Sequence, residues 1–250
     1  MPIETTEPGR GVIGLIPAAG IGSRLPDRPG SKEMVPVGVA QQPAIAHLLD
    51  AFSAAGIDAL SVVLRREKRD IVNFLSDAWA GRWETVFCAG TSGVPETVAL
   101  GLYDQQDAPV AFGFPDILFE PATAFDALLH ELSASDADVV LGLFPTDTPQ
   151  KMDMVALDAD NRVARIEIKP ASSALELTWI LAVWRPSFSR HLIASARMAL
   201  TQGRPLEHLG HALQAAMRDG LVVRGVPFPG GRSLDIGTPD DLVRAQRWPA

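Results

Sequence analysis

The sequence predicts an α/β fold in which helices flank both faces of a mixed, mainly parallel sheet. Up to about residue 145, short apolar runs typical of buried strands alternate with amphipathic stripes typical of helices. Between about residues 150 and 185, three strand-like runs follow one another without a helix, which predicts a small antiparallel lobe. Hydrophobic residues make up 47% of the chain and charged residues 21%, as expected of a chain that buries a sizeable core.

The first strand and the first helix have clear boundaries in the sequence. Val12 to Ile16 is an apolar run that leads into small residues and glycine, which indicates a strand buried on both faces. A helix is predicted after Pro43, because apolar residues from Ile45 to Phe52 recur at helical spacing. Gly56 is placed to end this helix in the left-handed conformation.

The same reasoning gives the remaining elements in order. The other predicted strands cover 60–64, 84–88, 109–112, 138–144, 154–157, 163–168, 178–184 and 221–226. The other predicted helices cover 71–79, 95–103, 125–132, 186–200, 206–218 and 239–247. No repeat, linker or low-complexity tract interrupts this series, so we expect one domain over 11–250, preceded by a loose N-terminal arm over 1–10.

Composition excludes several classes of protein. With 22 basic and 30 acidic side chains, the net charge is −8, which disfavours binding to nucleic acid. The sequence contains no run of about eighteen apolar residues, so no membrane-spanning helix is predicted. The first residues also lack the pattern of a secretory signal. The single cysteine, Cys88, cannot form an internal disulfide. We therefore expect a cytoplasmic protein with no membrane partner.

A glycine-containing loop from Ala18 to Leu25 directly follows the first strand, a common arrangement for presenting backbone N–H groups to phosphate. A dinucleotide fingerprint would require Gly or Ala at Leu25, and Pro26 and Pro29 obstruct a continuous helix there. The P-loop ending Gly-Lys-Ser/Thr is missing as well. Two cations, Arg24 and Lys32, follow the loop and suit a triphosphate substrate, although they could also be solvated surface residues.

Four short segments stand in a defined order along the chain. They are Ala18-Ala19-Gly20 with Gly22-Ser23-Arg24-Leu25, followed by Lys32 and Pro36-Val37; Gly113–Phe119; Arg165–Pro170; and Leu234–Pro239. Together they resemble the signature of the sugar-1-phosphate nucleotidyltransferases, with glucose-1-phosphate thymidylyltransferases as the nearest type. The resemblance spans about residues 12–246. It implies a Rossmann-like nucleotidyltransferase domain that joins a nucleoside triphosphate to a sugar 1-phosphate and releases pyrophosphate.

The resemblance also implies roles for individual residues. Arg24, Lys32 and Lys169 correspond to the catalytic cations, and Asp116 and Asp235 to the ligands of Mg²⁺, the expected cofactor. The nucleotide-binding set implied by the resemblance is Ala19, Gly20, Gly22, Ser23, Ser92, Gly93 and Thr97. The nucleotide is expected to be dTTP, with UTP as the alternative.

Each assignment has a structural alternative. Asp116 could cap a helix near Pro121, and Thr97 could cap or pack a helix. Lys169 is predicted on a strand whose alternation points it opposite to Ile168, where it could be an edge-strand lysine. Asp235 is predicted in a turn before the last helix, and Thr238 is predicted to cap that helix. Trp179 and Trp184 could stack on a base or sugar, but their apolar strand favours the interpretation that they are core residues. A non-catalytic nucleotide or sugar-phosphate sensor on the same fold is the alternative function, and a nicotinamide oxidoreductase is disfavoured by the loop sequence.

The chain departs from the family pattern where the family reads the sugar. Ile168 replaces the usual Glu before the lysine-proline pair, and Glu167 lies one place earlier. Asp153 lies in the segment where the family has Tyr-Gly, and Leu181 in the segment that usually carries a glycine. The sequence therefore supports nucleotidyl transfer more strongly than any particular sugar. It also leaves homo-oligomer formation open.

Overall fold

The computed structural model describes residues 11–21 and 30–249. The predicted N-terminal arm over 1–10 and three predicted site residues, Gly22, Ser23 and Arg24, lie outside the described residues.

A nine-stranded mixed sheet forms the centre of the described structure. Its strands are β1 (Ile13–Ala18), β4 (Ala59–Arg65), β5 (Arg82–Cys88), β6 (Val110–Gly113), β8 (Val139–Pro145), β9 (Met154–Leu157), β10 (Val163–Glu167), β11 (Leu177–Trp184) and β12 (Val223–Pro227). The main strand order is β12-β8-β11-β6-β1-β4-β5, and a hairpin of β9 and β10 joins the sheet beside β11. The predicted α/β fold class is confirmed.

Strand direction changes at β11. The pairs β1–β4, β1–β6, β4–β5 and β8–β12 are parallel, whereas β11 runs antiparallel to β6, β8 and β9. β6 pairs with the second half of β11, from Leu181 to Trp184, and β9 pairs with it at Thr178. Trp179 consequently lies where β6 gives way to β9. The antiparallel region predicted between 150 and 185 thus continues the main sheet through β11.

Helices cover both faces of the sheet because its inner strands are apolar on both sides. They are α1 (Ala44–Ala54), α2 (Arg69–Ala78), α3 (Val94–Gly101), α4 (Ala124–Ala134), α5 (Pro186–Thr201), α6 (Leu209–Arg218) and α7 (Pro239–Ala245). In β1, Ile16 packs into the core under α1, α2 and α4, and Leu15 packs into the core under α3, α5 and α6. None of the helices in the described ranges is long and apolar enough to cross a membrane.

Two small antiparallel sheets complete the fold. One pairs β2 (Pro36–Val37) with β3 (Gln42–Pro43), and the other pairs β7 (Ile117–Glu120) with β13 (Arg232–Asp235). With α7 they enclose a third apolar cluster. Sequence analysis did not predict these strands: a helix near Pro121 was expected to follow Asp116, with a helix cap as the alternative role of Asp116, and Asp235 was expected in a turn. In the structure a strand follows Asp116, and Asp235 ends a strand.

Several local predictions can be compared directly with the structure. Gly56 adopts a φ of 75° just after α1, and Thr238 caps α7 by accepting a hydrogen bond from Asp241 N–H, both as expected. The prediction that Lys169 lies on a strand was wrong, because β10 ends at Glu167. Lys169 follows with a φ of 40°, in the left-handed region that side chains rarely adopt.

His47 joins α1 to β7, and we expect it to make stability depend on pH. Its Nε2 lies 2.8 Å from the carbonyl oxygen of Phe119 and 3.1 Å from its nitrogen. Burial lowers the pKa of His47, and the Phe119 backbone acts in the opposite direction. Below the ordinary histidine pKa of about 6.5, the unfolded chain therefore takes up a proton that the folded chain does not.

The free energy of unfolding should accordingly fall as the pH drops from 7 to 5.5, by at most about 1.4 kcal/mol per pH unit from this residue. Chemical denaturation across this range should show a smaller pH dependence in His47→Gln. Substitution of the exposed His130 by Gln is the control for removing a histidine. An equal pH dependence in His47→Gln and the wild-type protein would contradict this role of His47.

Candidate active site

A cavity of about 470 Å³ opens at the carboxyl ends of β1, β4 and β6. Strand order reverses around β1, since β4 lies on one side of it and β6 on the other. Ligands of open α/β sheets bind at such a reversal. The cavity is lined by Pro17, Ala19, Gly20, Ile21, Lys32, Glu33, Arg65, Thr91, Ser92, Gly93, Val94, Thr97, Phe114, Asp116, Ile117, Lys151, Met152, Asp153, Lys169, Trp179, His208, Leu209 and Asp235. This set includes every predicted site residue that the structure describes.

Asp116 and Asp235 are brought together by backbone pairing. Asp235 is paired with Ile117 in the β7–β13 ladder, and the N–H of Ile236 donates to the carbonyl oxygen of Asp116 over 2.9 Å. The two aspartates therefore occupy neighbouring positions at one end of this small sheet. Both side chains line the cavity.

Lys32 supplies positive charge to this pair of carboxylates. Its Nζ lies 2.5 Å from Oδ2 of Asp116. Burial lowers the pKa of Lys32, but the negative charges of Asp116, Glu33 and Asp235 outweigh it, and the net pKa is raised. Lys32 is therefore held as a cation. Its ammonium interacts electrostatically with both aspartates.

Polar contacts with the start of α2 hold the turn that carries Lys32 in place. The side chain of Lys68 donates to both carboxylate oxygens of Glu33 over 2.8 Å, and both side chains are buried. Ser31 donates to Asp70 from its backbone N–H and from its hydroxyl, each over 2.7 Å. These contacts fix the residues on either side of Lys32. Lys32 itself remains in the cavity wall.

Arg65, at the end of β4, connects two loops of the site. Its Nε donates to the carbonyl oxygen of Ala19 over 2.9 Å, and its Nη1 donates to that of Ala89 over 2.8 Å. The planar guanidinium reaches the two carbonyls with two different nitrogens held in a rigid fork, whereas a lysine has a single ammonium nitrogen on a flexible chain. Arg65 thereby ties the glycine loop after β1 to the loop after β5.

The loop over 91–93 and the first turn of α3, which includes Thr97, form another wall. A Cβ on Gly93 would lie 2.7 Å from the carbonyl oxygen of Leu206, so close packing against the chain before α6 explains this glycine. Thr97 makes hydrogen-bond contacts with the hydroxyl of Thr91 (2.6 Å) and the carbonyl of Gly93 (3.2 Å). The packing alternative for Thr97 thus has direct support, although the residue also lines the cavity.

The residues that depart from the family pattern lie in different parts of the structure. Asp153 lines the cavity, whereas Leu181 is buried in the core. Glu167 accepts a hydrogen bond from Ser173 over 2.7 Å, and Ile168 packs against the core beneath α6. The carboxylate of Glu167 is therefore engaged away from the cavity wall.

The donor set fits a hard divalent cation only in part. Carboxylate oxygens such as those of Asp116 and Asp235 are suitable ligands for Mg²⁺, and Lys32 shows that this place accepts a positive charge. Among the described residues, no cluster of three or more His, Cys, Asp or Glu side chains forms a complete metal-binding group. Two carboxylates are compatible with Mg²⁺, because this ion usually keeps waters and shares substrate phosphates.

Sequence reasoning gave no site role to several residues of the cavity, among them Arg65, Trp179 and His208, and it noted Asp153 only as a departure from the family pattern. Trp179 was assigned to the core, and it is indeed buried, with 6% of its surface exposed, but its edge also borders the cavity. The position of Arg65 at the end of a buried parallel strand was a usable signal. His208 offered none, because its place depends on how α6 packs.

Comparison with known proteins identifies the family to which the chain belongs. A family model described as "Nucleotidyl transferase" matches residues 13–248. The chain therefore belongs to the nucleotidyl transferase family. The resemblance to sugar-1-phosphate nucleotidyltransferases predicted from the sequence motifs is thereby confirmed. No curated protein sequence matches the chain significantly.

Solved structures share the fold at low sequence identity. A Bacillus anthracis protein assigned as a glucose-1-phosphate thymidylyltransferase superposes with a TM-score of 0.81 at 16% identity, covering 94% of this chain and 93% of that one. The inositol-1-phosphate CTP transferase from T. maritima gives 0.76 at 17% identity, covering 97% and 98%. UDP-glucose pyrophosphorylase from Acinetobacter baumanii gives 0.76 at 18% identity, covering 94% and 91%.

The buried ion pair beneath Lys32 should contribute strongly to stability. Glu33→Gln removes one charge and leaves the Lys68 ammonium buried, so we expect a loss of about 3–5 kcal/mol in the free energy of unfolding. The control is Asp136→Asn, which breaks the exposed Asp136–Arg162 pair and should cost far less, because solvent screens such a pair. Similar losses in the two variants, measured by chemical denaturation, would contradict the assigned importance of the buried pair.

Arg65→Lys should loosen the two loops that Arg65 joins. Lysine has one ammonium nitrogen in place of the two guanidinium nitrogens that donate here, so amide hydrogen exchange should become faster in peptides containing Ala19–Ile21 and Ala89–Gly93. Arg66→Lys is the matched control, since Arg66 lies next in the chain and is exposed over the ring of Phe87. Exchange that stays unchanged in Arg65→Lys would show that these hydrogen bonds do not hold the loops.

Proposed function

We propose that this protein transfers a nucleotidyl group from a nucleoside triphosphate to a sugar 1-phosphate. A phosphate oxygen of the sugar 1-phosphate attacks the α-phosphorus, pyrophosphate leaves, and a nucleoside diphosphate sugar is formed. The observation that carries this proposal is the convergence in one cavity of two lysines, two carboxylates and two loops, all from the predicted positions. Residues 11–250 act in this proposal as one catalytic domain.

Lys169 orients the attacking phosphate. It lies in the cavity wall just beyond β10, at a backbone conformation that costs energy for a lysine. Such strain is concentrated at functional sites, which favours a role in the reaction over that of a surface residue. The attacking phosphate is ionised at neutral pH, so no general base is required, and catalysis consists of positioning and charge stabilisation.

The glycine loop and the cations beside it bind the triphosphate. Ala19 and Gly20 lie directly after β1, where their backbone N–H groups can face phosphate oxygens. Lys32 neutralises the charge of the departing pyrophosphate, and the contacts of its neighbours with α2 keep it in place. The roles of Gly22, Ser23 and Arg24 stay predictions.

Asp116 and Asp235 hold Mg²⁺ in this proposal. When bound, the ion neutralises charge on the phosphate groups that react. The two carboxylates already share the field of the Lys32 ammonium, which supports their capacity to hold a cation. Ser92, Gly93 and Thr97 border the part of the cavity assigned to the base.

The nucleotide in this proposal is dTTP, with UTP as the alternative. The structural relatives include proteins named for thymidylyl, UDP-glucose and CTP transfer, so the fold by itself does not select the base. A non-catalytic sensor would bind the same ligands without turnover. A cytoplasmic location and the absence of nucleic-acid and membrane partners also stay predictions, and self-association is left open.

Asp235→Asn provides a direct test of the proposed reaction. Loss of one carboxylate should lower the rate of pyrophosphate release by orders of magnitude, measured with dTTP or UTP, Mg²⁺ and a panel of sugar 1-phosphates. Asp240→Asn is the control, because Asp240 is an exposed carboxylate in the first turn of α7. Wild-type speed in Asp235→Asn would refute the metal assignment. Binding of nucleotide without pyrophosphate release by the wild-type protein would favour the sensor.

A further inference from the structure

Two buried polar atoms at one wall of the cavity have no good hydrogen-bond partner. They are Oδ1 of Asp153 and Nε1 of Trp179, and neither makes a hydrogen bond of normal geometry with the described residues. Buried polar atoms in folded proteins are nearly always paired. Since Trp179 is 94% buried and both residues line the cavity, the missing partner can come from a bound molecule.

Both residues are fixed in place by their surroundings. Trp179 lies on β11, where it is paired with Leu143 of β8 on one side. On the other side it lies between the stretches of β11 that pair with β6 and with β9. The hydroxyl of Thr178 donates to the carbonyl oxygen of Asp153 over 2.9 Å. A Cβ on Gly210 would lie 2.5 Å from Oδ2 of Asp153, so a larger residue at the start of α6 would displace this carboxylate from its observed position. The arrangement is therefore built into the fold.

The charges around Asp153 indicate what kind of group it accepts. Burial raises the pKa of Asp153, while the charges of His208 and Lys169 and a nearby indole N–H of Trp179 act in the opposite direction. The indole N–H thus lies close to the Asp153 carboxylate without forming a hydrogen bond of normal geometry. Burial lowers the pKa of His208, so the lasting positive charge on this side of the cavity is that of Lys169. A cationic ligand group would be repelled by Lys169, and it could not accept a hydrogen bond from the indole N–H of Trp179. A hydroxyl can donate to Asp153 Oδ1 and accept from Trp179 Nε1 at the same time.

We propose that Asp153 and Trp179 together bind one hydroxyl of the phosphate-bearing substrate, and that this pair selects a neutral polyol or sugar. The inference rests on the proposed function, in which Lys169 holds the substrate phosphate beside Asp153. Trp179 and Phe114 add aromatic surface to the same cavity, which suits the apolar C–H groups of a sugar ring. Asp153, one of the departures from the family pattern, thereby becomes a specificity-determining residue.

The test measures ligand binding and turnover separately. Binding of the 1-phosphates of glucose, galactose, mannose and myo-inositol, and of phosphocholine as the cationic probe, is followed by calorimetry. For the sugar or inositol phosphate that binds best, Trp179→Phe and Asp153→Asn should each weaken binding at least tenfold. Asp147→Asn, an exposed carboxylate outside the cavity, is the matched control and should bind as the wild-type protein does.

Monodeoxy analogues of that ligand identify the hydroxyl. Removal of one particular hydroxyl should weaken binding to the wild-type protein about as much as Trp179→Phe does, and should cost the Trp179→Phe variant almost nothing. Loss of binding in these variants without any turnover by the wild-type protein would refute the proposed reaction while supporting the hydroxyl site. Three results would overturn the inference. The folded variants could bind as tightly as the wild-type protein, the protein could prefer phosphocholine in a way that depends on Asp153, or it could bind none of these phosphates.

Discussion

The pairing of β7 with β13 is the constraint on which the candidate site depends. These two short strands come from distant parts of the chain, and their ladder places Asp235 next to Asp116. Two carboxylates side by side repel each other unless positive charge lies close by. The ammonium of Lys32 supplies that charge, so backbone geometry and electrostatics together define this end of the cavity.

The residues around Asp116 and Asp235 are of two kinds: some hold the site in place through contacts with each other, and others line the cavity. The buried Glu33–Lys68 pair and the Ser31–Asp70 contacts hold the turn that carries Lys32, while Arg65 joins the loops after β1 and β5. The supporting residues satisfy one another. Asp153 and Trp179 differ from them, because their buried polar atoms face the cavity without such partners.

Much of the fold could be predicted from sequence because the strands of the main sheet are short apolar runs and the helices carry regular stripes. The site motifs could be predicted as well, since they lie where parallel strands end. Strands β7 and β13 could not be predicted from the sequence, because their few residues form strands only by pairing with each other. Lys169 was assigned to a strand because its neighbours alternate, yet its backbone turns left-handed. His208 enters the cavity through the packing of α6, which no local pattern encodes. Arg65 could have been found, because it ends a buried parallel strand.

The central claim is that this cavity joins a nucleotide to a phosphate-bearing sugar. It is tested most directly by ³¹P NMR of the wild-type protein incubated with Mg²⁺, dTTP or UTP, and a mixture of sugar 1-phosphates. The account predicts that the signals of triphosphate and sugar phosphate decline together, while those of a diphosphate diester and free pyrophosphate rise in equal amounts. Formation of nucleoside diphosphate and inorganic phosphate instead, or unchanged signals at saturating nucleotide, would contradict it.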